Sequence, residues 1–353
     1  MAKKLDRRRF LWTSAGLVGV GGTALLAGCP ERQTAETGGP TTGSAPTGGG
    51  TSPAGGAGGK VGANRLVEHP VTGVQAVVAK GQDRAALVKA ALEAYGGLAA
   101  FVQKGDRVVI KPNLGWAMGP EVGVDTHPLI VAAVVKLCKE AGAKEIIVGE
   151  HSCDQWVAVK AMSGVPEAAE AAGAHVIGWG RQEGLYQEVA FSAGKSTTSD
   201  LVAKDVLECD VLINCPKLKH HSATYICGAM KNQMGLILRP QNYHQTPDPT
   251  KGDPNLHVNI ADLASAVRPT LNVVDVTNCC VAGGPKGIGT DARVKDFGTV
   301  IVSTDMVACD SLGTEVLGIC TLDDVPHIRI ASEERGLGNI LKAGDPAVKA
   351  VAV

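Results

Sequence analysis

Short runs of β-branched and aliphatic residues alternate along most of the chain with stretches whose apolar positions recur three and four residues apart. The runs predict strands near Val74–Ala79, Arg107–Lys111, Glu145–Glu150, His175–Gly178, Val211–Asn214, Leu271–Asp275 and Thr299–Ser303. The stretches between them predict helices at Arg84–Tyr95, His127–Ala141, Val157–Ala172, Ala223–Leu236, His257–Val267 and Met306–Leu317. Tyr186–Ala203 reads instead as a hairpin or meander. Asp125-Thr126 stands where a helix cap belongs, and Gly142 where that helix should end. Strand and helix in alternation predict an α/β fold: a mostly parallel, mixed sheet with helices on both faces, in a single large domain from residue 61 to 353.

The first 60 residues follow a different pattern. Lys3, Lys4 and Arg7 to Arg9 precede an apolar stretch and then small residues, the order of an export signal over residues 1–28. The apolar stretch is too short and Gly-rich to span a bilayer. Arg7-Arg8 followed by Phe10-Leu11 resembles the twin-arginine signal, which implies a translocon that exports folded proteins. Leu26-Ala27-Gly28-Cys29 resembles a bacterial lipobox, whose cysteine thiol receives the diacylglycerol; several acyl chains at Cys29 would hold the protein to the cell-envelope membrane. Residues 30–60 hold 10 Gly among Thr, Ser, Pro and Ala, with almost nothing that could enter a core. Residues 29–60 are therefore expected to be a tether with a reach of about 30 Å.

Charge and cysteine content narrow the function classes. The formal net charge is −1, and removing the signal, with its five cationic residues against Asp6, takes it to −5. No basic patch interleaved with aromatics suggests nucleic acid. Ten cysteines include Cys29, and the others fall at irregular positions without a C-x-x-C or ferredoxin-like run. An iron–sulfur cluster is therefore not expected.

Chemistry gathers just past the predicted strand ends, the edge where open α/β sheets bind ligands. Lys111-Pro112-Asn113, Glu150-His151-Ser152, Asn214 with the basic run Lys217, Lys219, His220 and His221, Asp275, and Ser303-Thr304-Asp305 each follow or close a strand. The basic run leads into a predicted helix that Thr224 would cap and that carries Lys231 and Asn232, an arrangement suited to an anion. Gly283, Gly284 and Gly287 lie in a glycine-rich loop that is neither a P-loop nor a dinucleotide fingerprint; its glycines either make turns or let backbone amides approach an anionic ligand. Lys217, Lys219, His220 and Lys231 are the candidate catalytic residues. Lys111, Asn113, Asn232, Gly283, Gly284, Gly287, Ser303 and Asp305 are the candidate ligand-binding ones. For a divalent metal the candidate ligands are Glu150, His151 and Asp275, with His220 or His221 and Asp305 also available, and no established zinc spacing among them. The strand-end residues of both groups are expected to line one cleft. The excursion Arg239 to Asn255 is either a lid over it or a surface insertion.

Val109-Ile110-Lys111-Pro112-Asn113, Pro216-Lys217-Leu218-Lys219-His220, Lys231-Asn232-Gln233-Met234-Gly235 and the run from Val302 to Asp310 occur in the order found in the domain-of-unknown-function 362 family. The chain resembles that family from about Gln75 to Gly338. The resemblance implies a core domain and no particular reaction; some relatives carry a ferredoxin-type cysteine run beside it, which this chain lacks. The sequence thus leaves three readings open: an enzyme acting on a small anionic substrate, a non-catalytic lipid-anchored binding protein, and an electron-transfer protein. Substrate, reaction and oligomeric state are not legible in it.

Overall fold

The computed structural model describes residues 64–244, 254–289 and 292–353. Arg7, Arg8, Cys29, the tether and the middle of the excursion after Arg239 lie outside the described residues. The central sheet contains β1 (Ala76–Lys80), β2 (Arg107–Pro112), β3 (Glu145–Glu150), β4 (His175–Gly178), β7 (Val211–Cys215), β10 (Leu271–Ala282), β11 (Arg293–Ser303) and β12 (Val348–Ala352), in the order β12-β1-β11-β10-β7-β2-β3-β4. β11 runs antiparallel to both of its neighbours, and every other pairing is parallel. Two small hairpins stand apart: β5 (Tyr186–Ala190) with β6 (Ser199–Ala203), and β8 (Lys219–His221) with β9 (Tyr225–Cys227).

The α/β expectation holds, with helices on both faces. Because side chains alternate along a strand, Val108 and Ile110 of β2 join a core with α1 (Arg84–Ala94), α2 (Pro128–Glu140) and α4 (Val165–Ala172), while Val109 joins the opposite one. That second core is built on α7 (Pro254–Ala266), α8 (Met306–Leu317) and the short α6 (Ala229–Asn232). With both faces apolar, hydrophobic burial alone discriminates poorly against a one-residue slip of a strand. Polar pairs supply the missing constraint: Asn214 of β7 donates to Asn272 of β10 at 2.9 Å, and Asn272 donates to the Ser303 carbonyl of β11 at 3.1 Å, all three residues fully buried.

Four differences from the sequence pattern have local causes. The helix expected over Val157–Ala172 is broken at Gly164, whose φ of 69° no helix accommodates, into α3 (Trp156–Met162) and α4. The helix expected from Ala223 begins only at α6, because Tyr225 sits at φ 59° in the β8–β9 hairpin and the Asp310 carboxylate of α8 receives the Ala229 and Met230 N–H groups. Thr224 caps nothing; its hydroxyl donates to the Ile226 carbonyl. Helix α2 is capped by His127, with Pro128 in its first turn, while Asp125 accepts the Gly115 and Trp116 N–H groups and Thr126 donates to the Cys215 carbonyl.

Strand order positions the site. From β2 the chain proceeds outward through β3 to β4, then returns to place β7 on the other side of β2 before continuing to β10. The C-terminal ends of β2 and β7 therefore flank a topological switch point, where successive connections leave in opposite directions and open a crevice.

Candidate functional site

A cavity of about 900 Å³ opens at this edge, walled by the residues that leave β2 and β3, by the β8–β9 hairpin and by α6. Its floor is a buried polar network. Lys111 forms an ion pair with Glu150 at 2.8 Å and donates to the Asn232 side-chain oxygen at 2.9 Å. The same Asn232 oxygen accepts from Asn113 at 3.0 Å, and its amide nitrogen donates to Asn214 at 2.8 Å, so one side chain on α6 ties together the ends of β2 and β7. Burial pushes the Lys111 ammonium down and the Glu150 carboxyl up, and each partner draws the other back toward its charged form. Gly235 packs directly on this pair; a methyl group there would collide with the Glu150 carboxylate and the Lys111 amine.

Two further lysines reach the cavity without a carboxylate partner. Lys219, only 1% exposed, donates to the Asn113 oxygen at 2.8 Å and to the Val124 carbonyl, and lies 5.9 Å from the centre of the Trp116 ring. An ammonium carries three donors, of which two meet oxygen acceptors here, and the buried Asp125 carboxyl, though not in ion-pair contact, interacts with its charge. Lys231 is 8% exposed, and among the described residues its Nζ has one hydrogen-bond contact, the Met234 sulfur at 3.4 Å. Burial, together with the cations of Lys219 and Lys111, holds the Lys231 ammonium below its ordinary pKa, although Cys227 and Cys153 oppose the shift.

His151 supplies an acid–base group. Its Nδ1 lies 2.9 Å from the Ile237 carbonyl, which fixes the proton there in the neutral ring and leaves Nε2 as a lone-pair acceptor. Burial lowers its pKa, so the ring is more readily neutral than a surface histidine. His221 also faces the cavity, stacked on His244 with centroids 6.0 Å apart, and burial drives its pKa well down. At the rim, Lys286 pairs with Asp154 at 2.9 Å and covers Trp116 from 5.4 Å, which draws the glycine-rich loop against the opening.

The expected site residues divide. Lys111, Asn113, Glu150, His151, Lys219, Lys231 and Asn232 meet at the cavity. Lys217 does not: it is sealed in an ion pair with Asp275 at 3.0 Å, neither side chain exposed, and Asp275 lies midway along β10 rather than at its end. His220 points away, its Nδ1 accepting from the Gly284 N–H at 3.1 Å. The cause is strand alternation: in β8, Lys219 and His221 share one face and His220 takes the other. Gly284 and Gly287 direct their N–H groups to His220 and to the Gly283 carbonyl, and Gly283 turns the chain at φ 77° against Ala292, so the loop reads as turn-making glycines.

Ser303 and Asp305 are at the opposite edge of the sheet, because β11 is antiparallel. Ser303 donates to the Gln75 carbonyl and Asp305 caps α8. The metal set is dispersed as well: Glu150 is held by Lys111 and Asp275 by Lys217, and no group of three metal-ligating side chains exists among the described residues. His221, named in the basic run, lines the cavity too, as does Cys227, and Trp116 lines it without having been expected. Reading residues 217–221 as a strand, with its period of two, is the signal that would have exposed His221.

The profile of a family described as Domain of unknown function (DUF362) matches residues 108–315. A thylakoid-associated protein of Synechocystis sp. is 28% identical over 256 residues, which cover 71% of this chain and 74% of that protein. Among solved structures, the lactate racemase apoprotein of Thermoanaerobacterium thermosaccharolyticum aligns with a TM-score of 0.39 and 14% identity, covering 66% of this chain and 56% of that one. A Thermotoga maritima protein aligns with a TM-score of 0.38 and 11% identity, covering 76% and 61%. No helix among the described residues is long and apolar enough to cross a membrane.

Proposed function

The chain belongs to the DUF362 family, and from that premise we propose that its cavity binds a small anion bearing a carboxylate or phosphate group, as the working domain of an exported, lipid-anchored enzyme. The observation that carries this reading is Lys219: a buried ammonium that donates to two neutral oxygens and has no ion-pair carboxylate among the described residues, beside a cavity of about 900 Å³. The buried Asp125 carboxyl acts on Lys219 through its field, but no carboxylate forms an ion pair with Lys219 among the described residues, and an anionic ligand in the cavity would supply that contact. His151, with Nδ1 anchored and Nε2 available, favours an enzyme over a passive receptor, since binding alone needs no proton acceptor.

Calorimetric titration of the full-length protein in detergent with oxalate, lactate and inorganic phosphate tests the reading. At least one of these anions should bind, and Lys219→Met should weaken it by about tenfold to a hundredfold, the worth of a charged hydrogen bond of roughly 1.5–3 kcal/mol. Absence of binding by all three, or equal binding by the variant, overturns it.

The membrane reading rests on Arg7-Arg8 and on Leu26-Ala27-Gly28-Cys29, and the thylakoid-associated relative is in keeping with work at a membrane. Changing Arg7-Arg8 to Lys-Lys should retain the protein in the cytoplasm, while Cys29→Ala should permit export and abolish acylation. Unlipidated wild-type protein free outside the cytoplasm contradicts this.

A further inference from the structure

The four lysines of this region are not equivalent. Lys111 and Lys217 each have a carboxylate, at 2.8 and 3.0 Å, and Lys219 has two oxygen acceptors. Among the described residues Lys231 has one acceptor, a thioether, a weak one, at 3.4 Å. Its backbone is well fixed, since the Asp310 carboxylate holds the first turn of α6 and Asn232, the next residue, is the hub of the buried network. A protonated Lys231 would keep donors without oxygen acceptors in a buried wall, whereas a neutral amine presents a lone pair and needs far less solvation. A lysine in a desolvated pocket beside other cations is the setting in which an amine becomes a nucleophile, and Lys219 and Lys111 are its cationic neighbours.

We propose that Lys231 is a nucleophilic amine that condenses with the carbonyl carbon of a small oxo-carboxylate, whose carboxylate is held by Lys219; the inference rests on the anion reading of the same cavity. In the addition step the amine lone pair forms the C–N bond, the carbonyl π pair moves to oxygen, and that oxygen takes a proton to give a carbinolamine. In the second step the hydroxyl leaves as water while the nitrogen loses its remaining proton, giving a C=N bond. The net change is amine plus carbonyl to imine plus water, with no oxidant or reductant required. His151, which lines the same cavity, can pass both protons through its Nε2 lone pair: first the ammonium proton of the adduct to the alkoxide oxygen, which gives the carbinolamine, then the nitrogen's remaining proton to the departing hydroxyl. The lowered Lys231 pKa agrees with this role, because each pKa unit below a surface lysine raises the free-amine fraction at neutral pH about tenfold.

The test is reductive trapping. Full-length protein in detergent is incubated at neutral pH with pyruvate or glyoxylate and borohydride, then digested and mapped by mass spectrometry, in parallel with oxalate titration of the same preparation. One reduced carboxyalkyl group should appear on Lys231, about tenfold or more above any surface lysine, and excess oxalate should suppress it. Lys231→Met should lose the adduct yet still bind oxalate through Lys219, which shows that the variant is folded. Adducts at Cys153 or Cys227 do not interfere, because borohydride does not fix a thiohemiacetal as an amine. Oxalate binding with no adduct, or with labelling spread evenly over surface lysines, overturns the nucleophile and leaves the anion reading intact. If oxalate, lactate and phosphate all fail to bind, the anion reading and the inference built on it both fall.

Discussion

Lys217 and Lys219 stand two residues apart in one basic segment and meet opposite surroundings. Lys217 faces Asp275 at 3.0 Å with neither side chain exposed, and the pair is reinforced by the Thr277 hydroxyl and the His127 N–H, both donating to the carboxylate. Lys219 rests on an amide oxygen and a backbone carbonyl beside an open cavity. The first arrangement is complete within the protein and joins the chain after β7 to the middle of β10. The second offers a charge that neutral dipoles answer only in part. The Lys217 pair is closed within the protein, whereas the proposed anion would give Lys219 the contact that the described residues do not.

The comparison breaks most readily at Lys217. Removing one partner of a fully buried ion pair leaves the other charge uncompensated, so Lys217→Met should cost about 3–5 kcal/mol in urea unfolding. Lys219→Met breaks no ion pair at contact distance; it strands two neutral oxygens and removes the cation that favours the charged form of Asp125, so the cost should be smaller, about 1–2 kcal/mol. Equal destabilisation by the two variants would show that Lys219 is as structural as Lys217.

Acid titration sharpens the same contrast. Burial acts to raise the Asp275 carboxyl, but Lys217, followed by the bonds from Thr277 and His127, holds it below the ordinary carboxylate value. A depressed folded pKa contributes stability that is present above the unfolded value, about 3.9, and is lost as pH falls through the folded one. The wild type should therefore lose stability below about pH 4 more steeply than Lys217→Met, measured as urea midpoints across pH. Parallel acid limbs in the two proteins would remove Lys217 as the cause.

Gly235 probes the cavity side. Its neighbours are the Glu150 carboxylate and the Lys111 amine, which cannot both stay in place beside a new methyl group. Gly235→Ala should destabilise by about 1–3 kcal/mol, the usual scale of overpacking. It should also weaken anion binding, because Lys111 and Asn232 share the displaced network. Unchanged oxalate affinity in this variant would separate the network from the ligand.

The sheet was legible because its strands are covered on both faces and read as apolar runs bounded by turn residues: β3 and β4 fall at the expected residues, and β2 and β7 differ by one. Strand direction was not legible. Nothing in Thr299–Ser303 distinguishes an antiparallel strand from a parallel one, and the long hairpin of β10 with β11 decides it through pairings that run from Asn272 with Ser303 out to Ala282 with Arg293. That single reversal sends Ser303 and Asp305 to the far edge. The basic segment failed for another reason: an apolar spacing compatible with helix was overruled by the Asp310 carboxylate, 81 positions from Ala229, which fixes where α6 can begin. Lys111 and Asn113 reach the cavity because chemistry at strand ends survives errors in element type, and Lys231 and Asn232 reach it because the short α6 falls inside the longer helix expected there. Lys217 and His220 were misjudged because alternation and ion pairing within the segment depend on partners that sequence does not name.

Asp305 offers the smallest and cleanest contrast. Its carboxylate accepts the Val307 and Ala308 N–H groups at the start of α8 and the Asn339 N–H at 2.7 Å, so its work is that of a helix cap at the edge remote from the cavity. Asp305→Ala should lower unfolding stability by about 1 kcal/mol, within the range for loss of a capping side chain. Oxalate affinity should stay at the wild-type value, since the variant alters neither Lys219 nor the Asn232 network. Lys219→Met inverts the pattern, with binding affected far more than capping, so the two variants measured side by side assign stability and recognition to opposite edges of one sheet. Weaker oxalate binding in Asp305→Ala would mean that α8, through Asp310 and α6, transmits changes at the far edge to Lys231, and the separation drawn between the two regions would have to be abandoned.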